Sequence, residues 1–282
     1  MGKSLEQQAR ELLGKDWSKA SLTKEKLQAN VREFARFCRS HYGLQRIDTI
    51  KSHMVQAYAR SMHERGLAPA TMADRMTAVR VVAGAVGKAN IVARENAAYG
   101  ISRAGTRLQP QMANAEKLAE IRAALEARAQ AGDRVALMMR AADVLRQEYG
   151  LRAKESLLSA RTTERDGRTY LVVEGAKGGR PRELEVRTPE QVAAVRLVRE
   201  TAERLGNANH RIIPPEMTLK QAYDAQRNEW RALGGTRENG AQMHVERHAY
   251  AQNRLDETGD RKVVATELGH GRESVTAHYV AG

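Results

Sequence analysis

Apolar residues in the first hundred positions recur at helical spacing. Leu27, Val31, Phe34, Cys38 and Tyr42 step by four, three, four and four, which places them on one face of a helix. Val55, Tyr58 and Met62 begin a second face, closed by Gly66. Met72, Met76, Val79, Ala83 and Val86 make a third, opened by Pro69 and Thr71. The pattern predicts a small all-helical domain whose Met and Val stripes form its core. Periodicity lapses between Arg94 and Gln111, where Gly100, Gly105 and Pro110 interrupt a stretch that carries Arg94, Arg103 and Arg107. This reads as a basic linker, drawn at 101–112, between a helical domain over 1–100 and a second domain over 113–282.

The second domain opens with a helix from about Ala115. Another comes after it, with Val135, Met138, Ala142, Leu145 and Tyr149 as its buried stripe and Gly150 as its stop. Past Arg161 the period changes. Asp166-Gly167 signals a tight turn, Leu171 and Val173 alternate as in a strand, Gly178-Gly179 turns again, and Leu184 and Val186 alternate once more. A small antiparallel sheet is expected there. Thr188-Pro189-Glu190-Gln191 has the form of a capping box with proline at the first helical position, and helical sequence dominates to the end. The predicted fold class is mainly α with a small antiparallel β-sheet, in two domains.

Composition and charge narrow the partners. A chain of 282 residues can bury two cores, so a site need not sit in one small domain. The net charge of +13 creates a field that attracts polyanions, which makes double-stranded DNA or another nucleic acid the leading partner. Cys38 is the single cysteine; it cannot form an intramolecular disulfide and lies in an apolar stripe, so it is expected to be a core residue. No apolar signal core follows Met1, and Arg80, Lys88 and Asn90 interrupt the Val-rich run over 79–93. A cytoplasmic protein without a membrane span is expected.

Four short segments of the second domain carry candidate chemistry: Gly150-Leu151-Arg152-Ala153-Lys154-Glu155, Lys177-Gly178-Gly179-Arg180, His244-Val245-Glu246-Arg247-His248, and Leu268-Gly269-His270 followed by Tyr279. Each has an ordinary reading alone. Gly-Leu-Arg ends many helices, a lysine in a glycine turn is usually just exposed, and a lone His-x-x-Arg is usually a solvated helix face. Taken together and in order, they resemble the signature of the tyrosine recombinase, or phage integrase, family. The likeness extends to Glu155 three residues after Arg152, to the continuation Arg247-His248-Ala249-Tyr250-Ala251, and to the Leu268-Gly269-His270 spacing before Tyr279. The first domain resembles that family's core-binding domain more loosely, through its helix pattern and Leu67-Ala68-Pro69-Ala70-Thr71.

The resemblance implies a site-specific recombinase, an integrase that cleaves and rejoins DNA through a 3′-phosphotyrosine, for integration or excision of a mobile element of bacterial or phage origin. Tyr279 would be the nucleophile. Arg152 and Arg247 would clamp the phosphate oxygens with planar forks of donors, and His244 would help to remove the phenolic proton. Lys177 would donate a proton to the leaving 5′ oxygen, and His270 would add a hydrogen bond to the phosphate. Glu155 is read either as an orienter of Arg152 or as an exposed first-turn acid. No metal and no cofactor is expected, because guanidinium groups take the cation's place and no Cys/His cluster stands at ligand spacing. The expected assembly is a homo-tetramer on two DNA sites, with accessory DNA-bending proteins as further candidate partners.

Two departures from the family pattern stand out. Glu246 occupies a position usually apolar in His-x-x-Arg, so a buried acid there needs an Arg or Lys partner. Only Val280, Ala281 and Gly282 follow Tyr279, whereas relatives often carry a further segment that docks on a neighbouring subunit; subunit contacts either lie elsewhere or in chain beyond this point. For the DNA-binding surface, Arg75 and Arg80 lie off the apolar face of the third helix and are candidates for groove contact, with Arg103 and Arg107 in the linker. Two alternatives share the fold: a catalytically silent DNA-binding accessory protein, and a strand-passage enzyme that relaxes supercoils.

Overall fold

The computed structural model describes residues 3–13, 21–102, 111–175, 181–207, 211–270, 273–277 and 279–280. The chain divides into two compact units, Met1–Thr106 and Arg107–Gly282.

Among its described residues the first unit holds four α-helices: α1 (Leu5–Glu11), α2 (Ser21–Tyr42), α3 (Ser52–Glu64) and α4 (Pro69–Ala85). The three predicted stripes meet in one core, where Val31, Phe34, Cys38, Val55, Tyr58, Met62, Met76, Val79 and Ala83 are buried. Tyr42 ends its stripe 39 % exposed, at the last residue of α2. Helix α1 carries no long stripe; it is set by a capping box of Ser4 with Gln7 and by burial of Leu5 and Ala9. Burial pushes the Cys38 thiol up to about 12, so it stays a neutral core group.

The two arginines proposed for groove contact are engaged within this unit. The Arg75 guanidinium pairs with Glu33 at 2.8 Å, which also takes Arg65 and accepts from the Tyr58 hydroxyl. Arg80 donates to the Ala93 carbonyl at 2.9 Å and to Asn96 at 2.8 Å. They lie off the apolar stripe, as the pattern requires, but tie α4 to α2 and to the segment after it; groove contact is not assigned to them. Arg103 and Arg107 lie outside the described residues.

The second unit contains α5 (Ala115–Gln130), α6 (Arg134–Tyr149), α7 (Ala153–Leu158), β1 (Arg161–Arg165), β2 (Arg168–Val173), β3 (Arg182–Glu185), α8 (Pro189–Arg204), α9 (Leu219–Ala232), α10 (Val245–Thr258), α11 (Arg261–Glu267) and α12 (Glu273–Thr276). The strands form one antiparallel sheet in the order β1-β2-β3. Asp166 and Gly167 both take positive φ, 51° and 71°, as a two-residue hairpin turn demands. Leu171 faces Leu184 in register, and both are buried against the helices with Val173. At the start of α8 the Thr188 side chain accepts from the Gln191 amide, but Gln191 Oε1 accepts from Arg187 N instead of closing the expected box on Thr188. Among the described residues no helix is long and apolar enough to cross a membrane.

Helix α6 is the spine of this unit, packed against α5, α8 and α10 and buried around most of its circumference. Gly150 ends it at φ +59°, and a Cβ built there would stand 2.5 Å from Tyr250 Cδ1. An alanine would meet both left-handed strain and a packed ring. Gly150→Ala is therefore expected to destabilise the protein by roughly 2–4 kcal/mol, seen as a lower urea midpoint with an unchanged slope.

Candidate active site

The left-handed turn at Gly150 releases the chain from α6 into Arg152, which precedes α7. The Arg152 amide donates to Glu155 Oε2 at 3.0 Å and its Nη1 to Glu155 Oε1 at 2.7 Å. Glu155 is fully buried, which does not fit its reading as an exposed first-turn acid. Burial works to raise its pKa, but the charge and hydrogen bonds of Arg182, with the amide and guanidinium of Arg152, outweigh that and hold it at about 2. Nη1 of Arg152 also lies 3.5 Å from the Leu268 carbonyl. The side chain keeps 32 % of its surface exposed, with Nε and Nη2 unpartnered among the described residues.

Helix α10 supplies the centre. Arg247 is fully buried; Nη1 donates to the Gly150 carbonyl at 2.6 Å, and Nη2 to the Leu268 carbonyl at 2.6 Å and to His270 Nε2 at 3.0 Å. Glu155 lies 4.0 Å away. Burial and the nearby Arg152 lower the Arg247 pKa to about 10, which leaves it charged at neutral pH. Its Nε is buried without a partner among the described residues. The unusual Glu246 beside it is buried between Arg122 and Arg146, and Asp143 completes the network. These are the cationic partners that a buried acid requires.

Among the described residues three imidazoles lie against Tyr279. His244 Nε2 lies 3.1 Å from the Tyr279 hydroxyl. The His248 ring stacks on the phenol, with centroids 4.6 Å apart and planes at 28°, and His270 stands at 4.9 Å. The Arg247 Cζ lies 5.4 Å from the phenol centroid. Because a guanidinium only donates, His270 accepts at Nε2 and carries its proton on Nδ1, which faces the Thr276 hydroxyl at 2.9 Å. Burial, reinforced by Arg247 and Arg152, lowers the His270 pKa to about 3. One side of His244 is open to solvent, yet desolvation against the wall of the site, then the charges of His248, Arg247 and Arg152, bring it down to about 4. All three rings are neutral at neutral pH.

The His270 shift has a stability consequence. Between about pH 6.5 and about pH 3 the unfolded imidazole binds a proton that the native one refuses, so stability falls as pH falls through that window. Urea midpoints measured at pH 7 and pH 5 are expected to drop, and to drop less in His270→Gln.

Of the residues expected from sequence, Arg152, Glu155, His244, Arg247, His270 and Tyr279 come together here; Lys177 lies outside the described residues. Pattern reading missed Arg182. Its Nε donates to the Glu267 carbonyl at 2.6 Å and its Nη2 reaches Glu155 at 3.2 Å, with the side chain 8 % exposed. Gly269 takes φ +65°, the left-handed backbone that favours glycine, with the Arg182 guanidinium packed beside it. The nearness of Arg182 in sequence to Lys177 was the one available signal.

The first unit is helical, and the second joins helices to a three-stranded sheet and a cluster of arginines, histidines and a tyrosine. The integrase family model matches residues 97–253, more than half of the chain, and the model of the phage integrase N-terminal SAM-like domain matches residues 11–83. The chain belongs to the tyrosine recombinase, or phage integrase, family. The integrase match spans Arg152, Lys177, His244 and Arg247 and stops before His270 and Tyr279. No curated protein matches the sequence. Among solved structures the fold is similar to the XerH site-specific recombinase bound to palindromic difH substrate in a post-cleavage complex (TM-score 0.65, 18 % identity, 92 % of this chain and 76 % of that one). It is similar to a lambda integrase tetramer bound to a Holliday junction (0.66, 16 %, 97 % and 75 %) and to the Tn1549 transposon integrase with transposon right end DNA (0.57, 16 %, 99 % and 95 %).

Proposed function

We propose that this protein is a site-specific DNA recombinase that cuts and rejoins strands through Tyr279. The observation that carries the reading is the 3.1 Å approach of His244 Nε2 to the Tyr279 hydroxyl beside two buried or half-buried arginines, all within one chain. The phenol oxygen attacks the scissile phosphorus, its proton passes to His244 Nε2, and the bond to the 5′ oxygen breaks. The leaving oxygen takes a proton, for which Lys177 is the proposed donor. Charge gathers on the non-bridging oxygens, for which Arg152 Nε and Nη2, on a partly exposed side chain, are the proposed donors. The product is a 3′-phosphotyrosine and a free 5′-hydroxyl, and attack by another strand's hydroxyl reverses the step.

The net charge of +13 supports double-stranded DNA as the partner. The lambda integrase tetramer on a Holliday junction supports assembly as four chains on two sites, and the Tn1549 complexes support service to a mobile element. The reading is tested on a duplex selected from random sequence by binding to the full chain, nicked beside each candidate scissile phosphate, in EDTA. A denaturation-resistant adduct mapping to the Tyr279 peptide is expected. Tight binding without an adduct at any nick would replace this reading with that of a silent DNA-binding accessory protein, and efficient relaxation of supercoils without a preferred sequence would replace it with a strand-passage enzyme.

A further inference from the structure

A nucleophile that must attack in line needs its oxygen placed to within a fraction of an ångström, and a hydrogen bond to His244 fixes the hydroxyl without fixing the plane of the ring. The ring of His248 supplies the second restraint. It lies in the first turn of α10, four residues after His244, which caps that helix, so both rings lie on the same side. His248 meets the phenol face to face, at 4.6 Å and 28°, and meets His244 edge to face, at 5.3 Å and 90°. It is 6 % exposed. Its Nδ1 is buried and makes no hydrogen bond among the described residues, so a polar link through that nitrogen does not account for an imidazole here. The stacked contact offers the site the face of a flat ring.

We propose that His248 is a positioning residue for strand cleavage, its stacked ring fixing the plane of the Tyr279 phenol so that the hydroxyl stays between His244 and the phosphate. The proposal rests on the reading of Tyr279 as nucleophile. A buried residue that merely fills the core would be replaced by any apolar side chain of similar volume. A stacking residue is replaced only by another flat ring.

The experiment compares wild type, His248→Phe and His248→Leu on the nicked selected duplex, with single-turnover cleavage and DNA affinity measured separately. His248→Phe is expected to cleave within about threefold of wild type, and His248→Leu about tenfold more slowly at unchanged Kd. In a DNA-free arm, Tyr279 is replaced by 3-fluorotyrosine, and its fluorine resonance is expected to move in His248→Leu and to stay near its wild-type position in His248→Phe. Wild-type cleavage by His248→Leu, equal loss in both variants, or a fluorine resonance indifferent to the leucine would overturn the role of His248 alone. Failure of wild type to form any adduct would overturn the nucleophile reading, and this one with it.

Discussion

Tyr279→Phe is expected to abolish the covalent protein–DNA adduct while leaving DNA affinity within about twofold of wild type. The substitution removes one oxygen. The ring that stacks on His248 and lies beside His270 is kept, and so is the apolar contact with the small cluster of Tyr250, Ala251, Val264, Leu268 and Val280. The hydrogen bond lost is the one to His244, a partly solvated contact whose removal costs about 1 kcal/mol of stability. No other hydroxyl stands beside His244 Nε2 among the described residues, so the chemistry has no substitute nucleophile there. A denaturing gel of wild type and Tyr279→Phe on the same nicked duplex reads the result directly. Adduct retained in the variant would move the nucleophile elsewhere and dissolve the assigned roles of His244 and His270.

Arg247→Lys is expected to lower the single-turnover cleavage rate by about a thousandfold, again with little change in DNA affinity. The side chain is fully buried, so it adds little to the field that draws in the duplex; its work is local. Its planar fork spans two carbonyls on different segments, Gly150 and Leu268, and holds His270 Nε2 from the same Nη2. An ammonium group is a compact charge without that span, so it would leave a buried carbonyl or the imidazole unpaired. Cleavage rate and Kd, measured separately on one substrate, check this. A lysine variant that cleaved within tenfold of wild type would show that charge at this position suffices and that the fork geometry is dispensable.

The candidate site was legible in the sequence to the extent that its chemistry is written in short segments in a fixed order. Arg152 with Glu155, His244 with Arg247, and Leu268-Gly269-His270 are local arrangements whose spacing survives folding, because a helix start or a helix turn holds them rigidly. The helices over 27–42, 55–66 and 69–86 were legible for a related reason: a 3.6-residue period states which face is apolar. Glu246 was readable as an anomaly, a buried acid in need of a cation. Its partners were not, since Arg122 and Arg146 stand 124 and 100 residues away.

Helix α1 escaped because seven residues are too few to show a period, and it is held by one capping box and two buried side chains. Arg75 and Arg80 were placed correctly off the apolar stripe, but the same pattern could not say whether an off-stripe guanidinium meets solvent or a neighbour such as Glu33 or Asn96. Arg182 and His248 escaped for the same reason. Arg182 acts on Glu155 and Glu267, 27 and 85 residues distant, and His248 on a phenol 31 positions further along (279 − 248).

By itself, then, the sequence determined the helical and strand periods, the turn glycines, the charge, and the inventory and order of reactive side chains, all of which depend on neighbours within a few residues. Only the tertiary structure decided which carboxylate neutralises which guanidinium, which carbonyls Arg247 holds, and which ring faces the Tyr279 phenol, because those pairings arise where α6, α7, α10 and the chain after α11 converge, and periodicity carries no information about a partner a hundred residues away.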